Sequence, residues 1–142
     1  MRSYREFKLD LKPEIYLKVV DSKKFKIALS RLRCSAHKLD IEMGRIKNID
    51  SVLRLCKLCE KVGVDDVEDE YHFVMTCTFL IEIRETYIKR YYWSNPTVHK
   101  FIELMKSDCP NVLNGLAIYV YLALKYRILK QSELQIYHNI WQ

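Results

Sequence analysis

The chain contains little glycine and little proline, three of each among 142 residues. So few turn-forming residues disfavour a β fold with many short strands, and they favour helices. Hydrophobic residues make up 49% of the chain, which is enough for a core and excludes a disordered polar polymer. The length is that of one ordinary domain. We therefore predict a mainly α-helical protein with a single core.

Motifs that cradle phosphate or carry out nucleophilic catalysis are missing. The sequence has no GxxxxGK[ST], GxGxxG or GxSxG pattern. The neighbouring acids Asp65 and Asp66, and likewise Asp40 and Glu42, have no further carboxylates placed to complete a two-metal centre. We therefore expect that the protein is not an enzyme.

A secretion signal is also missing, because the first residues, MRSYREFKLD, are charged and contain no apolar core. The five cysteines are an odd number, so reduced thiols are expected rather than disulfides. Both observations predict an intracellular protein, in the nucleus or the cytoplasm, that is not secreted.

Residues 56–77 hold four candidate metal ligands in the pattern C-x2-C, twelve residues, H-x4-C. Two thiols two residues apart can both reach one tetrahedral Zn²⁺, and a distant His and Cys complete the shell. Four protein ligands leave no open position, so the pattern predicts structural rather than catalytic zinc. The predicted ligands are Cys56, Cys59, His72 and Cys77.

Three other interpretations of the same residues are weaker. The four residues can be buried thiols with a core histidine. The two nearby cysteines can also be a redox dithiol, although the βαβ context of such a site is missing. A DNA-reading ββα finger is disfavoured, because Gly63 and Asp69 occupy positions that its apolar core requires. His72 and Cys77 are five residues apart and cannot share one regular helical face, so we expect the chain to bend or change helix there.

The net charge of +6 is unevenly distributed. Residues 1–61 carry 16 Lys or Arg against 8 Asp or Glu, a balance of +8, and residues 62–142 carry 8 against 10, a balance of −2. The basic half is a candidate surface for phosphates of RNA or DNA, and a merely solvated basic face is the alternative. The candidate nucleic-acid contacts are Arg31, Arg33, His37, Lys38 and Arg45.

These candidates lie in RLRCSAHKLDIEMGR, residues 31–45, which is dense in polar groups. An alternative role for the segment is a polar network that docks it on the zinc module. Gly44 suggests a turn with positive φ. Cys34 and His37 are disfavoured as metal ligands, because the later set of four is already complete.

Apolar spacing predicts four helices. The first runs from Asp21 or Ser22 to Cys34, the second over 78–92, the third begins near Pro96, and the last covers 111–130. The apolar run of the last helix is shorter than the ~20 residues of a membrane span, so a buried central helix is expected. The aromatic residues at 87 and 91–93 fit a core better than a base-stacking surface.

These patterns divide the chain into five consecutive parts of one compact domain. They are a leading segment (1–20), a basic helix and polar loop (21–53), a CCHC zinc module (54–77), a helical bundle (78–130) and a tail (131–142). The predicted fold is mainly α, with a small zinc-stabilised knuckle packed on a helical bundle.

The polar segment followed by CxxC and by VEDEYHFVMTC resembles the zinc-binding region found after the polymerase in non-LTR (LINE-type) retrotransposon reverse transcriptases. The similarity covers about residues 30–95. It implies a module with structural zinc that binds template RNA or target DNA. It implies no polymerase activity, because the polymerase and endonuclease domains are absent from this chain. The matching residues are Arg31, Ser35, His37, Gly44, Arg45, Cys56, Cys59, Glu68, Glu70, His72 and Cys77.

Taken together, the patterns predict a non-catalytic, zinc-dependent module that binds RNA or DNA through its basic N-terminal half and does not enter a membrane. The alternatives are a zinc-stabilised helical protein-interaction domain and a non-functional fragment of a mobile element.

Overall fold

A computed structural model describes residues 7, 8 and 10–140. The fold is mainly helical, as predicted, and this part of the chain contains no β-strand. The rest of the predicted leading segment and the last two residues of the tail lie outside the described residues. The helices are α1 (Tyr16–Val19), α2 (Lys23–Arg33), α3 (Asp40–Ile46), α4 (Lys57–Glu60), α5 (Ile81–Tyr87), α6 (Arg90–Trp93), α7 (Val98–Met105) and α8 (Pro110–Ile140). Single turns of 3₁₀ helix lie at Ser51–Leu53 and Thr78–Leu80, and a π-helical turn lies at His72–Thr76.

Helix α8 forms the centre of the fold. Helices α1, α2, α4 and α5 all pack against it. By length and composition this helix could cross a membrane, but 44% of its most apolar stretch is buried inside the protein. The core helix of a globular fold passes the same test, and α8 has that role here. Its fully buried side chains are Leu116, Ala117, Tyr119, Val120 and Ala123.

Helix α2 begins and ends close to the predicted residues. Ser22 precedes it in an extended conformation, and Arg33 ends it. Ala28, Leu29 and Leu32 are buried on the face that packs against α8. The spacing of these apolar residues at i, i+1 and i+4 is what defines that face.

The predicted helix over 78–92 is interrupted, which corrects the sequence interpretation. Helix α5 ends at Tyr87, Ile88 is extended, and Lys89 is non-helical before α6 begins. Ile88 is buried, with 4% of its surface exposed, and its carbonyl accepts a hydrogen bond from Trp93 Nε1 at 3.0 Å. Tertiary packing of Ile88 and Trp93 therefore outweighs the regular four-residue spacing of apolar side chains.

Helix α8 extends ten residues beyond the predicted end at 130, through most of the segment predicted to be a tail. Residues 130–140 contain no glycine or proline, and several of them are good helix formers. The extension leaves the large apolar side chains of Ile136, Tyr137 and Ile140 exposed, whereas Leu134 is partly buried against the core.

Gly44 does not form the expected turn. It lies inside α3, and the positive φ angles of this region belong to Ser35 and Asn48. A Cβ atom on Gly44 would lie 2.5 Å from Cγ of Arg54. The glycine therefore makes room for the Arg54 side chain, which donates hydrogen bonds to the carbonyls of Ile41 and Ile49.

Gly115 permits a close approach between α8 and the end of α5. A Cβ atom at this position would lie 2.3 Å from the carbonyl oxygen of Tyr87.

Replacing Gly by Ala inside a helix normally stabilises a protein by up to about 1 kcal/mol. For Gly115→Ala we expect the opposite sign, a loss of about 1–3 kcal/mol in the free energy of unfolding measured in urea. The reason is that the backbone of α5 or α8 must move to make room for the added Cβ atom. Asn111→Ala, at an exposed position of the same helix, is the control and should be near neutral. A raised midpoint for Gly115→Ala would contradict the close contact.

Candidate metal centre

The first two cysteines lie on a tight turn that follows a short stretch of paired backbone. Leu55 forms an isolated antiparallel bridge with Val67, and Cys56 N–H donates to the Asp66 carbonyl at 2.8 Å. The single helical turn α4 follows Cys56 and contains Cys59. Gly63 closes the turn with a φ of +76°, a conformation that suits glycine best. The turn places both thiols on the buried side of the segment.

The second pair of ligands is brought together by the π-helical turn. Cys77 N–H donates to the His72 carbonyl at 2.8 Å, which closes a turn over five residues rather than four. Asp69 Oδ1 accepts the His72 N–H at 2.8 Å and so holds the start of this turn. The expected change of helix between His72 and Cys77 is therefore confirmed. A regular α-turn would have directed the two side chains apart.

The ligand atoms of Cys56, Cys59, His72 and Cys77 all lie within 4.8 Å of one another. Cys59 Sγ is 3.5 Å from His72 Nε2 and 3.8 Å from Cys77 Sγ. A tetrahedral metal ion with bonds of about 2.3 Å to sulfur and about 2.0 Å to nitrogen would separate sulfur from nitrogen by about 3.5 Å and sulfur from sulfur by about 3.8 Å. All five cysteines are free thiols. The four predicted residues thus form a group that could hold a metal ion.

Burial closes this cluster to solvent. The four residues are between 1% and 3% exposed. Four donors that converge in a dry site leave no open position for a substrate, as in structural rather than catalytic metal centres. A metal ion held by all four residues would therefore crosslink residues 56–59 to residues 72–77.

A second layer of contacts orients the imidazole. Thr76 Oγ1 lies 3.2 Å from His72 Nδ1, and an Asp66 carboxylate oxygen lies 3.6 Å from the same nitrogen. Partners on Nδ1 favour the tautomer that carries its proton there and leave the Nε2 lone pair directed at the cysteines. The sequence interpretation included neither contact, although a polar residue four positions after His72 was visible.

The surroundings favour the neutral thiol at two of the cysteines, Cys56 and Cys59. A hydrogen bond with Cys77, together with burial, raises the pKa of Cys56, and burial raises the pKa of Cys59. Three thiolates packed this closely would repel one another in a medium of low polarity. A bound metal ion displaces these protons, so binding at this cluster releases them to solvent.

Two buried side chains satisfy the backbone carbonyls that the π-turn leaves open. Arg84 donates to Val74 O at 2.8 Å and to Cys77 O at 2.9 Å. Tyr119, at the centre of α8, donates to Phe73 O at 2.5 Å. Arg84 is only 3% exposed. The sequence interpretation missed its position on the inward face of α5, where an arginine beside apolar residues is the signal that could have found it.

A buried ion pair joins the segment between the two ligand pairs to α8. Arg127 donates to both carboxylate oxygens of Glu68, at 2.5 and 2.6 Å, and Asp40 N–H donates to Glu68 at 2.7 Å. Glu68 is 2% exposed and Arg127 is 6% exposed. Bidentate pairing and the additional N–H compensate the loss of hydration that such burial requires. One carboxylate therefore connects α3, the metal cluster and the central helix.

The polar segment 31–45 docks on the metal cluster through a further carboxylate. His37 Nε2 lies 3.0 Å from Glu70 Oε1, and Ser35 Oγ donates to the same oxygen at 3.2 Å. The His37 side chain is fully buried. The docking network, one of the two roles that the sequence suggests for this segment, is therefore present in the fold.

The five predicted nucleic-acid contacts divide into two groups. Arg31, Lys38 and Arg45 are exposed, whereas Arg33 and His37 are buried. Arg33 donates to Met105 O at 2.5 Å and pairs with Glu14 at 3.1 Å. Because these partners surround it, Arg33 is not accessible to a phosphate, and the same holds for His37. The prediction for these two residues is corrected to a structural role.

The predicted aromatic cluster is mostly part of the core. Tyr92 is buried and Trp93 is half-buried, whereas Tyr91 is 55% exposed and hydrogen-bonded to Glu103. A base-stacking surface would need several exposed rings side by side. The core interpretation of this cluster therefore applies to most of its members.

Fold and site together define a mainly α-helical protein with a buried Cys₃His cluster that could hold a metal ion. Comparison with protein-family models, with curated proteins and with solved structures finds no match to this chain.

The contact between Thr76 and His72 allows a test of metal binding at the cluster. Thr76→Val removes the hydroxyl beside Nδ1 and should lower metal affinity by about 10–100-fold. Competition against a chromophoric chelator measures this change. Thr86→Val is the matched control, because the Thr86 hydroxyl only donates to Glu82 O on the exposed side of α5. Equal affinities for the two variants would contradict the assigned role of Thr76.

Proposed function

We propose that the protein is a zinc-dependent, non-catalytic module that binds nucleic acid. The observation that carries this proposal is the connection between the metal cluster and the basic segment. Glu68 and Glu70, which lie just before His72, hold residues 35–40 in place. Zinc at the cluster would thus order the segment that presents Arg31, Lys38 and Arg45 to solvent.

Three thiolates and one imidazole are a typical donor set for structural Zn²⁺. With a divalent ion the set sums to −1, and the buried Arg84 guanidinium, bonded to the Cys77 carbonyl, lies close enough to offset that charge. Calcium and magnesium prefer oxygen donors and are disfavoured at this site. The softness of the donors and the closed shell together support zinc.

Charge supports nucleic acid as the partner. Residues 1–61 have a charge balance of +8, and most of the lysines and arginines that the structure describes in this range are exposed. Such a surface attracts phosphates and releases their counterions. The resemblance to the tail of LINE-type reverse transcriptases supports the same partner, RNA or DNA.

A protein-interaction module is the second candidate, and a specific observation favours it. The C-terminal part of α8 exposes large apolar side chains. Binding through such a surface depends little on salt, whereas phosphate binding weakens steeply as salt rises. The exposed residues are Ile128, Leu129, Ile136, Tyr137 and Ile140.

Native mass spectrometry of the purified chain should find one zinc ion per molecule. A chelator should remove this ion together with much of the cooperative thermal transition, because structural zinc supplies on the order of 10 kcal/mol in small domains. Cys59→Ser should lower the melting temperature and the soluble yield. Cys34→Ser is the control, because Cys34 is an exposed thiol outside the cluster. A folded, metal-free wild-type protein would remove the zinc proposal.

Binding of labelled RNA and DNA oligonucleotides should weaken linearly with the logarithm of salt concentration. Replacing Arg31, Lys38 and Arg45 together by Gln should reduce the slope by about 2–3, roughly one unit for each phosphate that is no longer neutralised. The matched control is the triple Gln variant of Lys89, Arg90 and Lys106, which are exposed in the less basic half. If both triple variants bind with the wild-type slope, the basic segment is not the phosphate surface.

A further inference from the structure

A polar groove of about 590 Å³ lies between α4 and the C-terminal part of α8. One wall is formed by residues 57–61, in the turn that carries Cys56 and Cys59, and the other by residues 131–139 of α8. Leu134 contributes an apolar patch that packs on the core. Because α4 directly follows Cys56 and contains Cys59, the shape of this groove depends on the cluster.

Side-chain amides form a row along the α8 wall. Gln131, Gln135 and Asn139 are four residues apart, so they share one face of the helix, with steps of about 6 Å. Gln131 Nε2 is buried and has no hydrogen-bond partner within residues 7, 8 and 10–140. A buried donor without an acceptor is unfavourable, so the Gln131 amide would gain a hydrogen bond by turning toward a ligand oxygen in the groove that this residue lines.

The opposite wall supplies positive charge. Lys57 and Lys61 line the groove, together with one acid, Glu60. Lys57 is 3.5 Å from Asp40, so Lys61 is the less engaged of the two ammonium groups. His138 completes the amide wall with an exposed ring. A ligand that combines anionic groups with flat hydrogen-bonding edges matches both walls.

We propose that this groove holds a single strand of nucleic acid, with phosphates beside Lys57 and Lys61 and base edges on the amides of α8. Asn and Gln amides each offer a donor and an acceptor, which is the pairing that adenine and other base edges use. Pockets of roughly 300–1,000 Å³ hold small ligands, so the groove fits an unpaired nucleotide but not a duplex. Unpaired bases are the form in which proteins usually read RNA sequence. The inference rests on the proposed function and adds the strand type and the reading residues.

The test uses the full zinc-loaded chain and a short single-stranded oligonucleotide of mixed sequence, with the same sequence as a duplex for comparison. The double variant Gln135→Ala with Asn139→Ala should weaken single-strand binding by about tenfold or more and leave the salt slope unchanged. The double variant Lys57→Gln with Lys61→Gln should reduce the slope by about 1.4, the value for two single-strand phosphates. Positions 135 and 139 are exposed, and Ala favours helix, so the amide variant is expected to fold.

The matched control removes two exposed amides elsewhere, Asn95→Ala with Asn111→Ala, and should bind as the wild type does. If the wild type binds with a salt slope but the groove variants are indistinguishable from this control, the groove proposal fails and the proposed function stands. If the duplex binds as tightly as the single strand, the assignment of strand type fails. If the wild type shows no salt-dependent binding at all, both proposals fail together.

Discussion

The convergence of three thiols and an imidazole in a dry pocket is the constraint on which the rest of this structure depends. Groups of this kind repel when ionised and lose hydration when buried, so they are brought together only where surrounding contacts compensate. The two ligand pairs come from a tight turn and from a π-turn, each only a few residues long. A shared metal ion would convert these local turns into one unit.

The surroundings of the cluster show how the fold satisfies the backbone that this geometry leaves open. A π-turn directs carbonyls away from the usual helical partners, and Arg84 and Tyr119 donate to three of them. Glu68 joins Arg127 of α8 to the backbone of Asp40. Removing one member of such a network leaves a buried charge or carbonyl without a partner, which is why these side chains act as a set. The central helix therefore contributes polar contacts to the site as well as apolar packing.

In the proposed function, the metal cluster does more than stabilise the fold, because it is connected to the basic segment at the surface. His37 and Ser35 meet Glu70, two residues before the ligand His72, so the position of the basic segment depends on that of the ligand. On the other side, α4 carries Lys57 between Cys56 and Cys59. Metal binding and the arrangement of basic side chains would thus be parts of one event.

Local sequence patterns predict much of this structure. The spacing of Cys56, Cys59, His72 and Cys77 identified the cluster, the scarcity of glycine and proline indicated helices, and the five-residue separation of His72 and Cys77 required a change of helix. Each of these depends on short-range chemistry or on backbone periodicity. The tertiary structure decided which polar residues are internal, since Arg33, His37, Arg84 and Arg127 look like surface residues until their partners are known. It also decided the break at Ile88, where burial of one side chain outweighs helical spacing. Burial and pairing depend on residues distant in the chain, and no local pattern contains that information.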